Sequence, residues 1–185
     1  ARRSRSAYSD VAETVANLSQ SAHDAFPDPR ETVQFVETIN KLMAIGGTKG
    51  QAKKNAMIQL TQGLASGQLQ GDEFRSIAEN APMIENIIAK TMGVSRGELK
   101  KLASEGKITA EVIKKAMTEN AAEIEEQFRK LPHTMSDWVT DIQSVAQYAF
   151  APLFEVINEL SNSEEFRQFI DSIENNIQYI APIIK

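Results

Sequence analysis

The sequence contains no cysteine among its 185 residues, which excludes a disulfide framework, a thiolate nucleophile and a cysteine-ligated metal. Aromatic residues are also scarce, at 6%, so leucine, isoleucine, alanine and methionine provide most of the apolar surface. This composition suits packed helices better than β-sheets. We therefore expect an all-α protein whose hydrophobic core holds the fold without covalent cross-links.

Long apolar runs and an excess of positive charge are missing as well. No stretch of about 18 apolar residues occurs, and the charged residues 1–10 are not followed by the apolar segment that a signal peptide needs. The net charge of −5 disfavours a sequence-independent grip on nucleic acid, which depends on lysine and arginine. Because the sequence starts without methionine and its apolar period runs to the end, we expect a segment of a longer protein.

Glycine is absent from residues 107–185, whereas all nine glycines lie between Gly46 and Gly106. The middle of the chain should therefore form short helices that fold back on each other, and the C-terminal part longer ones. Predicted caps are Asp28, followed by Pro29, and the capping boxes of Thr48 with Gln51 and Ser95 with Glu98. Together these patterns predict helices over residues 8–25, 29–45, 49–66, 72–80, 83–92, 96–105 and 109–130.

Beyond residue 131, apolar residues recur at roughly heptad spacing in two series, a pattern typical of helices that pack on each other. The first series is Met135, Trp138, Ile142, Val145, Ala149, Val156 and Leu160; the second is Phe166, Ile170, Ile173, Ile177, Ile180 and Ile184. Residues 161–163 provide caps for a turn between the two series. We predict a compact domain of short helices over residues 1–131, followed by a long antiparallel helical hairpin over residues 132–185. The alternative is that the hairpin packs on the first part as one domain.

Residue types that catalyse reactions or bind metals form no recognisable pattern. His23 and His133 are far apart in the chain and match no zinc-ligand spacing. The segment GGTKGQ, residues 46–51, lacks the preceding strand and the Gly-Lys-Ser/Thr ending of a phosphate-binding loop. We therefore expect no enzyme, and no catalytic residue, cofactor or metal site.

The stretch QGDEFRSIAENAP, residues 70–82, allows two interpretations. Asp72, Glu73 and Glu79 can share a helix, but a carboxylate site would also need a cleft and shifted pKa values. The simpler interpretation is an amphipathic helix in which Asp72 and Glu73 stabilise the N-terminus and Arg75 pairs with Glu79. The absence of catalytic partners favours this second interpretation.

The same stretch lies within residues 60–113, LTQGLASGQLQGDEFRSIAENAPMIENIIAKTMGVSRGELKKLASEGKITAEVI. This segment closely resembles the domain found toward the N-terminus of bacteriophage and prophage tail tape-measure proteins. Upstream, FVETINKLMAIGG looks like the helix that precedes this domain, and downstream FRKLPHTMSDW resembles its junction. The motif residues, to which we assign structural roles, are Gly71, Asp72, Glu73, Phe74, Glu79, Asn80, Ala81, Pro82, Gly93, Ser95, Leu99, Gly106 and Thr109.

The resemblance implies a helical structural protein of the phage virion tail, assembled in the bacterial host cytoplasm, whose length sets the length of the tail. The expected function is a structural and protein-interaction module in tail assembly and length determination. It implies tail-tube, tail-tip and tail-assembly chaperone proteins as partners, with self-association as a further expectation and no specific nucleic acid. The alternative, suggested by the isoleucine-rich last helix, is a membrane-active module that acts in genome ejection.

Overall fold

A computed structural model describes residues 4–135, 137–146 and 168, and it confirms the predicted all-α class for these residues. Eight helices have the bounds α1 (Tyr8–Ser21), α2 (Pro29–Ile45), α3 (Gly50–Ala65), α4 (Gly71–Asn80), α5 (Pro82–Met92), α6 (Arg96–Ser104), α7 (Ala110–Glu119) and α8 (Ala121–Arg129). A further helix, α9, includes Met135 and residues 137–146.

Among α1 to α8, side-chain caps start α2, α6 and α7, and two of these caps agree with the predicted sequence patterns. The Asp28 carboxylate accepts a hydrogen bond from the backbone N–H of Arg30 at 2.8 Å, and Pro29 is the first residue of α2. Ser95 and Glu98 form the predicted capping box of α6. The capping box predicted at Thr48 is wrong, because α3 begins after Lys49 without a side-chain cap. Thr48 instead donates its hydroxyl hydrogen to the Asn80 carbonyl at 3.2 Å.

The helix predicted over residues 109–130 is also wrong, because it is interrupted at Asn120. The Asn120 side-chain amide donates to the Ala116 carbonyl at 2.8 Å and to the Thr91 hydroxyl at 2.9 Å. Asparagine readily leaves helical hydrogen bonding when its side chain can bond the backbone locally. A buried polar contact between the α7–α8 break and α5 therefore replaces the continuous helix.

The core lies among α1 to α8, where α3 packs on α4, α2 on α8 and α5 on α7. Its largest fully buried side chains are Phe26, Leu18, Ile39, Leu42, Met43, Leu60, Leu64, Leu69, Ile77, Ile84, Ile88 and Leu99. Burying one such side chain contributes about 1.5–3 kcal/mol to folding. Phe26 lies in the α1–α2 connection and contacts Phe35 with ring centroids 4.9 Å apart, so this connection is part of the core.

The chain divides into two compact units, Ala1–Ser144 and Val145–Lys185. Within the second unit the structure describes only residues 145, 146 and 168, so the predicted hairpin lies largely outside the described residues. The described members of the first apolar series, Met135, Trp138, Ile142 and Val145, are exposed. The predicted division after residue 131 stays a prediction. Among the described residues, no helix has both the length and the apolar character needed to cross a membrane.

Candidate functional site

The residues predicted from the motif begin at the N-terminus of α4, where they form an amphipathic helix. Gly71 opens α4 with φ 55°, and Asp72 and Glu73 lie in its first turn. Phe74 is buried in the core. The Arg75 guanidinium donates to the exposed Glu79 carboxylate at 3.0 Å, and this contact raises the pKa of Arg75. The geometry therefore matches the amphipathic-helix interpretation of this stretch, although no side chain caps α4.

The turn between α4 and α5 connects two parts of the domain. Ala81 is buried between the two helices, and Pro82 is the first residue of α5. A backbone N–H at this position would have no partner within the helix, so proline costs no helical hydrogen bond. The Asn80 carbonyl accepts the hydrogen bond from Thr48, which lies in the α2–α3 connection. The segment Asn80–Pro82 thus holds that connection in place while the chain changes direction.

The next motif residues shape the α5–α6 connection. Gly93 ends α5 in the left-handed conformation at φ 68°, which is the usual role of glycine after a helix. Ser95 then caps α6, and Leu99 is fully buried. In the capping box, hydrogen bonds from the backbone and side chain of Ser95 lower the pKa of Glu98.

The last motif residues join the α6–α7 connection to the α3–α4 connection. Gln68 and Thr109 form an isolated antiparallel bridge, in which Leu69 N–H donates to the Ile108 carbonyl at 2.7 Å. Leu69 and Ile108 are fully buried. Thr109 also caps α7 by accepting a hydrogen bond from Val112 N–H. Gly106 has φ 67°, and a Cβ there would lie 2.7 Å from Gln68 Oε1. The positive φ therefore favours glycine at this position, and a Cβ would displace the end of the Gln68 side chain.

The two paired connections belong to an internal repeat that the sequence analysis missed. Residues 64–69 read LASGQL and residues 102–108 read LASEGKI, and each is followed by a helix of 10 residues. In both cases one residue separates this helix from the next helix: Ala81 lies between α4 and α5, and Asn120 lies between α7 and α8. The repeated LAS, glycine and apolar residue were the signal that could have shown this duplication.

The charged side chains of α2 and α8 form a second cluster, at a cleft of about 610 Å³ lined by Arg5, Glu37, Lys41, Glu125, Phe128, Arg129 and His133. The Lys41 ammonium donates to the carboxylates of Glu37 and Glu125. Burial acts to lower the pKa of Lys41, but hydrogen bonds and charge from the two carboxylates outweigh it and raise the pKa. The cluster therefore joins α2 to α8 through an ion pair in which the Lys41 side chain is 10% exposed and that of Glu125 is 47% exposed.

A third polar cluster surrounds the N-terminal residues 4–7, which we call the N-terminal strap. Lys53 donates to the Ser6 hydroxyl at 2.9 Å, and that hydroxyl lies 3.1 Å from Asn40 Oδ1. Ser4 and Ser6 are both buried. Burial lowers the pKa of Lys53, while the charge of Asp10 acts in the opposite direction. No local sequence pattern predicts this cluster, because its members come from the strap, α2 and α3.

Lys53 also lines a groove of about 570 Å³ between α1 and α3. Its lining residues include Asp10 and Glu13 on α1 and Lys53 and Lys54 on α3, although most of the lining surface is apolar. Charges of both signs at one end give the groove no preference for an ion of one sign. Across residues 4–135, 137–146 and 168, no group of three or more histidine or acidic side chains could hold a metal ion.

Comparison with known proteins gives one match. Residues 1–153 match the family model described as tape measure protein, which covers most of the chain and includes the whole described motif. No curated protein and no solved structure matches the chain.

Proposed function

Because this chain belongs to the tape measure protein family, we propose that it is a structural and protein-interaction module in phage tail assembly and in the determination of tail length. The family match over residues 1–153 carries the proposal and supports a structural role in the phage tail. The geometry supports the proposal, since most of the motif residues start a helix, end a helix or fill the core.

The architecture supports a folded module within a tape rather than a section of continuous rod. The longest of helices α1 to α8 is α2, which has 17 residues and spans about 26 Å at 1.5 Å per residue. A left-handed glycine follows α2, α3, α5 and α6 within two residues of the helix end, and each of α1 to α8 ends after a few turns. We infer that the ruler function resides in other sequence of the full-length protein, and that this module contributes contacts during assembly.

An in-frame deletion series tests the assignment in the complete phage. Removing successive stretches of the helical region outside this module should shorten tails in proportion to the residues removed, as measured by electron microscopy. Deleting this module should instead reduce the number of assembled tails, because its contacts are lost. Tails of unchanged length throughout the deletion series would contradict the ruler assignment.

The partners that we propose are tail-tube, tail-tip and tail-assembly chaperone proteins, with self-association as a further possibility within the assembled tail. Charge supports protein over nucleic acid as the partner, because the chain carries a net charge of −5. Co-purification of the chain with each tail protein, together with light scattering on the chain alone, separates binding to a partner from self-association.

A further inference from the structure

Helix α9 has an unusual orientation, since its polar side is the covered side. Asp137, Asp141 and Ser144 are spaced three or four residues apart, lie on one face, and are buried or half-buried. Trp138 and Ile142 are 53% and 67% exposed. An amphipathic helix usually buries its apolar stripe instead. The hydrophobic effect therefore does little to hold α9 in this position.

The distribution of buried hydrophobic side chains also indicates that α9 has few apolar contacts with the domain. Among the residues that the structure describes, the buried hydrophobic side chains end at Phe128 in α8, and α9 adds none. Elements held by few buried apolar contacts open at a lower free energy than the rest of a fold. Polar contacts are therefore important for holding α9, and one group of them lies at the start of the helix.

Arg5, in the N-terminal strap, contacts both the segment that leads into α9 and the first turn of the helix. Its guanidinium donates to the carbonyls of Leu131 and Pro132, both at 3.0 Å, and lies 4.7 Å from the centre of the Phe128 ring. It also lies 3.7 Å from the Asp137 carboxylate, in the first turn of α9. The Arg5 side chain is only 9% exposed, so these charge-assisted contacts are strengthened by their removal from water.

Asp137 connects Arg5 to the start of α9. Its carboxylate accepts a hydrogen bond from Thr134 N–H at 2.8 Å, and its own N–H donates to the Thr134 hydroxyl at 3.2 Å. These reciprocal bonds form a capping arrangement. The hydrogen bonds from Thr134 and the charge of Arg5 lower the pKa of Asp137, although burial acts in the opposite direction as the largest single effect. The charge that Arg5 contacts is thus the charge that caps the helix.

The strap itself is held in a strained conformation. Arg5 has φ 49°, in the left-handed region that non-glycine residues rarely adopt. Such a conformation persists only where neighbouring contacts fix it. Here the adjacent Ser6 is fixed by Lys53 and Asn40, on α3 and α2. The strap therefore spans from the α2–α3 side of the domain to the α8–α9 junction.

We propose that the N-terminal strap is a latch that holds α9 in place through Arg5, and that opening the latch releases α9 while α2 to α8 remain folded. The core of α2 to α8 does not depend on α9, because α9 supplies none of the described buried hydrophobic side chains. Release would allow α9 to reorient and to bury the apolar stripe that its latched position leaves exposed. The latch does not depend on the proposed function.

Hydrogen–deuterium exchange on the full chain tests the latch, with peptides from α9 compared with peptides from α2 and α5. Arg5→Ala should accelerate exchange in residues 137–146 on the order of tenfold, because the charge-assisted contacts at the junction are lost. Arg5→Lys should give a smaller increase, since lysine keeps the charge near Asp137 but lacks the planar fork that reaches two carbonyls. Arg30→Ala, an exposed arginine on α2, is the control and should change nothing in α9.

Two results would overturn the latch. Unchanged exchange in α9 of Arg5→Ala would show that Arg5 does not hold the helix. Equal acceleration in α9, α2 and α5 would show that Arg5 stabilises the whole domain rather than one helix. If circular dichroism shows that Arg5→Ala does not fold, the same comparison on Arg5→Lys decides between local release and these two results.

Discussion

At the scale of single residues, Lys53 shows how a charge is accommodated among closely packed helices. Its ammonium donates to Ser6, and burial lowers its pKa. No ion pair to Lys53 occurs among the described residues, so the hydroxyl of Ser6 is the contact that the structure shows for it. A charge that is desolvated and not directly paired makes the free energy of folding depend on pH.

We expect Lys53 to make the protein more stable as the pH rises toward 10.5, the ordinary pKa of lysine. The unfolded chain keeps the Lys53 proton up to that pH, whereas the folded protein releases it at a lower pH. Between the two values the unfolded state binds more protons, so the free energy of unfolding increases with pH. Urea denaturation from pH 7 to pH 10 should show that this increase is smaller in Lys53→Met than in the wild type.

Lys54→Met provides the matched control, because Lys54 is the exposed neighbour on the same helix. Its pH dependence should follow that of the wild type. If Lys53→Met and Lys54→Met change the pH dependence equally, Lys53 has no special environment in the folded protein.

Single residues also show what the sequence could and could not predict. Asp28 and Ser95 cap helices as predicted, because capping requires only residues a few positions apart. Thr48 has the same local pattern but donates to Asn80, which is far away in the sequence. The strap contacts of Ser6 with Asn40 and Lys53 are equally distant. Partners that only the tertiary fold brings together leave no local pattern.

At the scale of elements, the paired connections between α3 and α4 and between α6 and α7 are the most constrained part of the motif. The bridge at Gln68 and Thr109 brings the two connections close together, and Gly106 beside it has a positive φ that favours glycine. The bridge also joins the two copies of the internal repeat. Substitutions in these two connections should therefore affect the packing of both α4 and α7.

We expect Gly106→Ala to destabilise the domain by about 1–2 kcal/mol, because alanine is strained at a positive φ and its Cβ would contact Gln68. Gly97→Ala should instead stabilise by about 0.5 kcal/mol, since Gly97 lies in α6 with open space around its Cβ position. Urea denaturation of the two variants measures both effects. Equal effects would mean that the close approach at Gly106 does not constrain the fold.

The elements were predicted more reliably than their interruptions. Glycine and proline gave most of the helix ends correctly, including Gly93 and Pro82. The break at Asn120 was missed because it depends on a hydrogen bond to Thr91 in α5. Heptad spacing placed a helix after residue 134 correctly, but the exposure of its apolar side was not predictable from periodicity alone. A period shows which residues share a face, and packing decides which face is covered.

At the scale of the whole molecule, a well-packed helical domain ends in a helix with an exposed apolar stripe, Met135, Trp138, Val139 and Ile142. Exposed apolar residues that cluster on one helix face often mark a binding surface, whereas scattered ones are ordinary. In a structural protein of the phage tail, such a stripe is suited to contacts made during assembly. The stripe therefore connects the fold to the proposed function, and it can be tested separately from stability.

We expect Ile142→Asp to leave the purified chain folded but to impair tail assembly when it is introduced into the full-length protein. Ile142 is largely exposed, so the free energy of unfolding should change by no more than about 0.5 kcal/mol. Ile88→Asp is the contrasting variant, because it places a charge at a fully buried position and should prevent folding. Thermal denaturation of the purified chains and a count of assembled tails by electron microscopy measure the two effects. A normal number of tails with Ile142→Asp would show that the stripe is not an assembly contact, while a loss of folding would show that Ile142 belongs to the core of the domain.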